Sequence, residues 1–153
     1  MRRISRFLQM KVEQLTITDF IKKENLLFSE SFASMYYAED LKLAGVVWHG
    51  SFSAEEYIAI FNRLVAEIKD KPLVGFYSDI RKQGIVPVAA RKEFERTFSP
   101  RGKEMGIDKT GVVTDGSPFK NYYLNSIIRI TGRPAKVTSN PDEALNYVLE
   151  GKL

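Results

Sequence analysis

The stretch SFSAEEYIAIFNRLVAEIKDKP, residues 51–72, constrains the fold more than any other part of this 153-residue chain. Ser53 and Glu56 have the spacing of a capping box, in which hydroxyl and carboxylate each satisfy a backbone N–H that the first helical turn leaves unpaired, and Phe52 is placed to staple against Tyr57. A helix starts there. Tyr57, Ile58, Phe61, Leu64, Val65 and Ile68 fall on one face, while Glu55, Asn62, Arg63 and Lys69 lie away from it, so one side must be buried against another layer. Pro72 prevents further helix. Strand-like runs stand on both sides, Leu41 to Trp48 before the helix and Leu73 to Ser78 after it. A strand, a one-faced helix and a second strand form a crossover unit, which closes right-handed onto a parallel sheet.

The same alternation continues to the end of the chain. Phe32 to Tyr37 and Leu41 to Trp48 flank Ala38-Glu39-Asp40 as a hairpin, with Leu26-Leu27-Phe28 extending the first strand or forming a short piece before it. Val88 to Phe98 reads as a basic helix with Pro87 at its first turn, Phe94 and Phe98 anchoring it to the sheet, and Ser99-Pro100 as a break. Ile107 to Thr114 is a strand with Gly111 inside it. Ser117 and Pro118 open a third helix, whose residues Phe119, Tyr122, Tyr123, Ile127 and Ile130 predict a wide packed face. Ala135 to Thr138 is a last strand, and Asn140 caps a final helix ending at Gly151. The order β-β-α-β-α-β-α-β-α predicts an α/β domain with a single mixed, mostly parallel sheet of about five strands and four helices. Residues 15–153 form that single domain. Residues 1–14 read as a flexible basic tail, either frayed, or preceding a true start at Met10, or folding as a basic amphipathic helix on a partner or membrane.

Composition narrows the chemistry. No stretch approaches the ~20 apolar residues of a membrane span, and the expectation is a cytoplasmic protein. With no cysteine and one histidine, disulfides, thiolate catalysis and His-based zinc sites are excluded, and no carboxylate cluster has metal-loop spacing. No cofactor is expected. The net charge of +4 is uneven: residues 1–11 carry +4, residues 81–103 carry +5, and the remainder carries −5. A basic segment on an acidic body points to an anionic partner there.

The segments VVWHGSFSAEEY, LVGFYSDIR and AKVTSNPDEALNYVL, in this order of elements, resemble the STAS family, the fold of anti-sigma-factor antagonists, and more loosely the SEC14-like (CRAL-TRIO) lipid-binding domains. The resemblance covers roughly Phe32 to Leu149. It implies a STAS-like fold and a non-catalytic regulatory or protein-interaction module. In phospho-regulated members of the family a Ser or Thr stands at the start of the second helix. Here that stretch is Gly84-Ile85-Val86-Pro87-Val88-Ala89, without a hydroxyl, which argues against a phosphorylation switch.

The candidate site follows from the sheet. Ligands of open α/β sheets lie outside the carboxyl ends of the strands, where helix N-termini offer free N–H groups. That edge gathers Asp79, Arg81, Lys82, Arg91, Asp115, Gly116 and Ser117 as ligand-binding candidates. On the bland reading, Asp79 caps a loop, Arg81 pairs with it, and Asp115 to Pro118 is only a helix cap. An anion held there is expected to bind more weakly as salt rises, and alanine at Arg81 and Lys82 to weaken it at little cost in stability. His49 has no partner beside it to act as a base, and capping accounts for Glu55-Glu56, so no catalytic residue is expected. Nucleic acid is not expected, because Phe94 and Phe98 interleave with Arg91, Lys92 and Arg96 at helical spacing and face inward. The expected partner is another protein, acidic in character, at residues 80–96, with a second copy in a homodimer as one form of it. An anionic small molecule or lipid, carried between sheet and helices, is the alternative, and a cavity of ~300 Å³ or more would favour it.

Overall fold

The computed structural model describes residues 15–152. The tail 1–14 and the side chains of Phe119, Tyr123 and Ile130 lie outside the described residues. Six strands form one sheet in sequential order: β1 Leu26–Glu30, β2 Ala33–Ala38, β3 Leu43–Gly50, β4 Gly75–Gln83, β5 Lys109–Val113 and β6 Ala135–Thr138. β1 pairs antiparallel with β2 and β2 with β3, whereas β3 to β6 pair in parallel, so β2 alone runs against the other five. The sheet has one strand more than the sequence predicts. Leu26 to Glu30 is a separate edge strand because the chain turns at Ser31-Phe32 and pairs Glu30 with Ala33.

The first helix, α1 (Ala54–Ile68), starts as its sequence dictates. Ser53 Oγ accepts from the Glu56 N–H at 3.1 Å, the Ser53 N–H donates to Glu56 Oε1 at 2.9 Å, and the Phe52 and Tyr57 rings lie 5.7 Å apart. Ser53→Ala is expected to cost about 1 kcal/mol in a urea titration; an unchanged midpoint would mean that the cap contributes nothing. Its buried face is Tyr57, Ile60, Phe61, Leu64 and Ile68, with Ile58 and Val65 only partly covered.

The second helix departs from the sequence reading. Val88–Glu93 is α-helical, Phe94–Phe98 is a π-turn, and Ser99–Met105 continues as α-helix to a left-handed cap at Gly106; together they are α2. Ser99-Pro100 is therefore no break. A proline lacks the N–H of a regular helix and crowds the preceding turn, and the wider π-turn just before Pro100 absorbs both defects. Phe94 and Phe98 meet a helix as well as the sheet layer, since both rings pack on Phe61 of α1 at 5.7 and 5.2 Å. In α3 (Pro118–Thr131) Leu124 is buried and Tyr122 is exposed, so Tyr122 does not belong to the packed face the sequence predicts for it, while Ile127 lines the space beneath the helix. α4 (Pro141–Leu149) is capped by Asn140, whose Oδ1 accepts from the N–H groups of Asp142 and Glu143.

Three parallel steps in one direction, each of the same hand, put α1, α2 and α3 on one face of the sheet. Trp48, Tyr57, Phe61, Phe98 and Ile80 belong to the core on that side. α4 covers the opposite face over β4 and β5 with Leu145, Val148 and Leu149, joined by Phe20 from the 3₁₀ segment that precedes β1. Beneath it Tyr77 is 1% exposed and is paired in register with Gly45 on one side and Gly111 on the other. Burial, then the nearby Asp79 carboxylate, push its phenol well above the ordinary value.

Candidate functional site

Asp79-Ile80-Arg81-Lys82 does not leave the core at the end of a strand. It lies inside β4, which runs on to Gln83 because β3 keeps pairing as far as Gly50. Val47 pairs with Asp79 but His49 pairs with Lys82, so Trp48 alone faces both Ile80 and Arg81. This is a β-bulge. A bulge leaves backbone groups of the extra residue without a ladder partner and re-aims side chains at the end of a sheet.

The Asp79 side chain supplies the missing partner. Its Oδ1 accepts the backbone N–H of Arg81 at 3.1 Å, and the carboxylate takes the guanidinium through Nε at 3.1 and 3.2 Å and through Nη2 at 2.7 Å. Asp79 is 6% exposed, while nearly half of the Arg81 side chain remains in solvent. Donating these bonds to the carboxylate raises the Arg81 guanidinium above its ordinary value.

The third helix closes the bulge from the other side. Lys120 Nζ donates to the carbonyls of Ile80 at 2.9 Å and Arg81 at 3.1 Å and to Asp115 Oδ2 at 3.2 Å. Asp115 also accepts the Ser117 N–H at 3.0 Å, and this bond, with Lys120, holds its carboxyl below the usual range. Ser117 caps α3 by accepting the Lys120 N–H at 3.4 Å, and Gly116 makes the turn with a φ of 80°. Lys120 was not among the candidates from sequence. A cation in the first turn of a helix opposes the helix dipole, and that was the available signal.

The structure thus brings together Asp79, Arg81, Asp115 and Ser117 through Lys120. Lys82 is exposed beside them, and Arg91 sits half-buried on α2, which packs on α1. His49 is partly buried in register with Lys82. Asp79 with Arg81 and Asp115 with Lys120 are thus paired across the bulge, which makes a clamp of side-chain bonds around it. The clamp holds out the loop 84–87. Gly84 follows so closely that its N–H donates to the Gly50 carbonyl at 2.8 Å, and a Cβ on it would stand 2.7 Å from that oxygen. Val86 turns inward, whereas Ile85 is 76% exposed and Val88 is 55% exposed. Tyr122, near the start of α3, is exposed at the same end of the sheet.

A cavity of about 150 Å³ lies between the sheet and α1, α2 and α3. It is half the volume set above as the mark of a drug-sized or lipid ligand. No helix among the described residues is long and apolar enough to cross a membrane.

No protein-family model matches the sequence, and no curated protein matches it. Among solved structures the chain is similar to an uncharacterized protein of the DUF3478 family with a SpoIIAA-like fold from Shewanella loihica PV-4. The two superimpose with a TM-score of 0.60 over 80% of this chain and 98% of that one, at 14% identity. At that identity the likeness is one of fold, and the domain has the SpoIIAA-like, STAS-like fold that its order of elements implies.

Proposed function

We propose that this STAS-like domain is a non-catalytic interaction module that docks a protein partner on the carboxyl edge of its sheet. The observation that carries the reading is the exposure of Ile85 on the loop 84–87 and of Val88 at the first position of α2, next to the Asp79–Arg81–Lys120 clamp. Large apolar side chains left in water on a stiff support are what a docking surface requires, since little ordering entropy is lost on binding. Lys82 and the cations of α2 flank the patch, so the fitting partner has an apolar pocket with an acidic rim. The absence of a hydroxyl from residues 84–89 makes this docking independent of phosphorylation at that stretch.

A photo-crosslinking residue at position 85 is expected to give a defined adduct in the native host, and one at Glu67 on the exposed side of α1 to give none. Ile85→Asp with Val88→Asp should abolish the adduct formed from position 122 while shifting the unfolding midpoint little, because both side chains are solvated. Equal capture from positions 85 and 67, or an adduct from position 122 that survives the double substitution, would remove the basis for this reading. A homodimer would show as an adduct of twice the chain mass.

A further inference from the structure

The cavity under α1, α2 and α3 holds something the carboxyl edge lacks, a half-buried cation whose inner nitrogen has no counter-charge. Its wall is apolar nearly throughout, from Trp48 and Phe61 to Leu124 and Ile127, and it contains one guanidinium, that of Arg133. The end of α3 places that side chain. Gly132 takes the left-handed cap conformation at a φ of 67°, Pro134 follows, and Ala135 begins β6, so Arg133 stands at the amino end of the sheet, opposite the clamp. Its Nη2 donates to Ser99 Oγ at 2.8 Å. Its Nη1 is buried and has no hydrogen-bond partner in the protein. Burial alone pushes this guanidinium below its ordinary value, with no neighbouring carboxylate to offset it.

The π-turn of α2 builds the other wall. The Ser99 N–H bonds to the Phe94 carbonyl five residues back, and the extra residue turns both Phe98 and Ser99 into the protein. One turn on, Gly102 leaves room for the cation, since a Cβ there would stand 3.4 Å from Arg133 Nη1 and 3.0 Å from Ile107. A guanidinium nitrogen taken out of water without a partner is costly, and an anion in the cavity would complete it.

Size and charge define the anion. An apolar cavity of about 150 Å³ takes up one benzene-sized group, so the ligand body is about one ring or six carbons. A carboxylate carries one charge and offers two oxygens to the planar fork of a guanidinium, whereas a phosphate would bring nearly two charges against a single cation. We propose that the cavity binds a small apolar monocarboxylate, aromatic or short-chain, with its carboxylate on Arg133 and its body among Phe61, Phe98, Leu124 and Ile127. This site does not depend on docking at the carboxyl edge.

Trp48 is the sole tryptophan and lines the cavity, so its fluorescence reports occupation directly. The full chain is titrated with benzoate, hexanoate, benzyl alcohol, phenyl phosphate and hexadecanoate, and calorimetry repeats each titration. Benzoate or hexanoate is expected to saturate the signal and to bind more tightly than the uncharged alcohol, the phosphate or the long-chain acid. In Arg133→Met the affinity for the acid should fall about tenfold or more, the effect of losing a charge-assisted pair, while that for benzyl alcohol is retained. Arg133→Gln, which keeps a donor for Ser99, serves as the second variant should the first fail to fold. The acid-against-alcohol comparison needs no variant. Equal affinity for benzoate and benzyl alcohol, tighter binding of phenyl phosphate or hexadecanoate, undiminished acid binding without Arg133, or no saturable response to either short acid overturns the proposal.

Discussion

Arg81→Ala is expected to lower the unfolding free energy by about 2–4 kcal/mol, several times what an exposed cation contributes. The substitution strands the Asp79 carboxylate, 6% exposed, with one backbone N–H from residue 81 as its remaining donor from that residue. The figure lies below that for a fully buried pair because nearly half of the Arg81 side chain is in solvent and water can reach the gap. Asp79→Ala should cost less, about 1–2 kcal/mol, because the freed guanidinium can turn to water while only the bulge N–H is orphaned. Arg81→Lys should recover little, since an ammonium cannot make the forked contact. The double variant should be more stable than the sum of the singles, because it removes the stranded charge altogether. Urea midpoints of the four variants beside the parent decide the matter, and a loss at Arg81→Ala under about 0.5 kcal/mol would show the pair to be an ordinary surface contact. The sequence alone led to a negligible effect on stability, because nothing in it shows that Asp79 is buried.

Gly111→Val should be as damaging, at about 3 kcal/mol, although valine is by propensity the better strand residue. A Cβ at position 111 would stand 2.5 Å from the Ala144 carbonyl oxygen and 2.9 Å from Val148 Cγ2. The first of these is helix backbone and cannot rotate away. Either α4 lifts from the sheet, uncovering Leu145 and Leu149, or β5 shifts out of register. Gly75 meets Val148 in the same way from β4, and Gly45 meets the Phe20 ring from β3. Thermal unfolding of Gly111→Val beside Gly111→Ala tests the point, and an unchanged midpoint in both would mean that α4 does not sit on β5.

Capping and periodicity carried most of the architecture. Ser53, Ser117 and Asn140 start their helices where their side chains allow, and the last strand has the bounds its residues suggest. These signals act within about four residues, so they are visible in a linear reading. Pro100 misled for the same reason, since its cost is local but its remedy is a π-turn in the residues before it. The sixth strand was half visible, as Leu26 to Phe28, and only its partner Ala33–Ala38 makes it an edge strand.

The candidate edge was placed from strand order, and Asp79, Arg81, Asp115 and Ser117 do meet there. Their relation to one another was not legible, because the residue that joins them, Lys120, lies forty positions from the carbonyl of Ile80 that it binds. Arg133 was silent in the same way. The placement of its guanidinium depends on Ser99, thirty-four positions away, and on a π-turn between α-helical segments. Local chemistry along the chain therefore determined which elements form and in what order. Which charges are spent on each other, how the Arg133 guanidinium comes to face the cavity, and where an apolar space stays open were decided by packing, because burial and pairing belong to residues that only the folded sheet brings within reach.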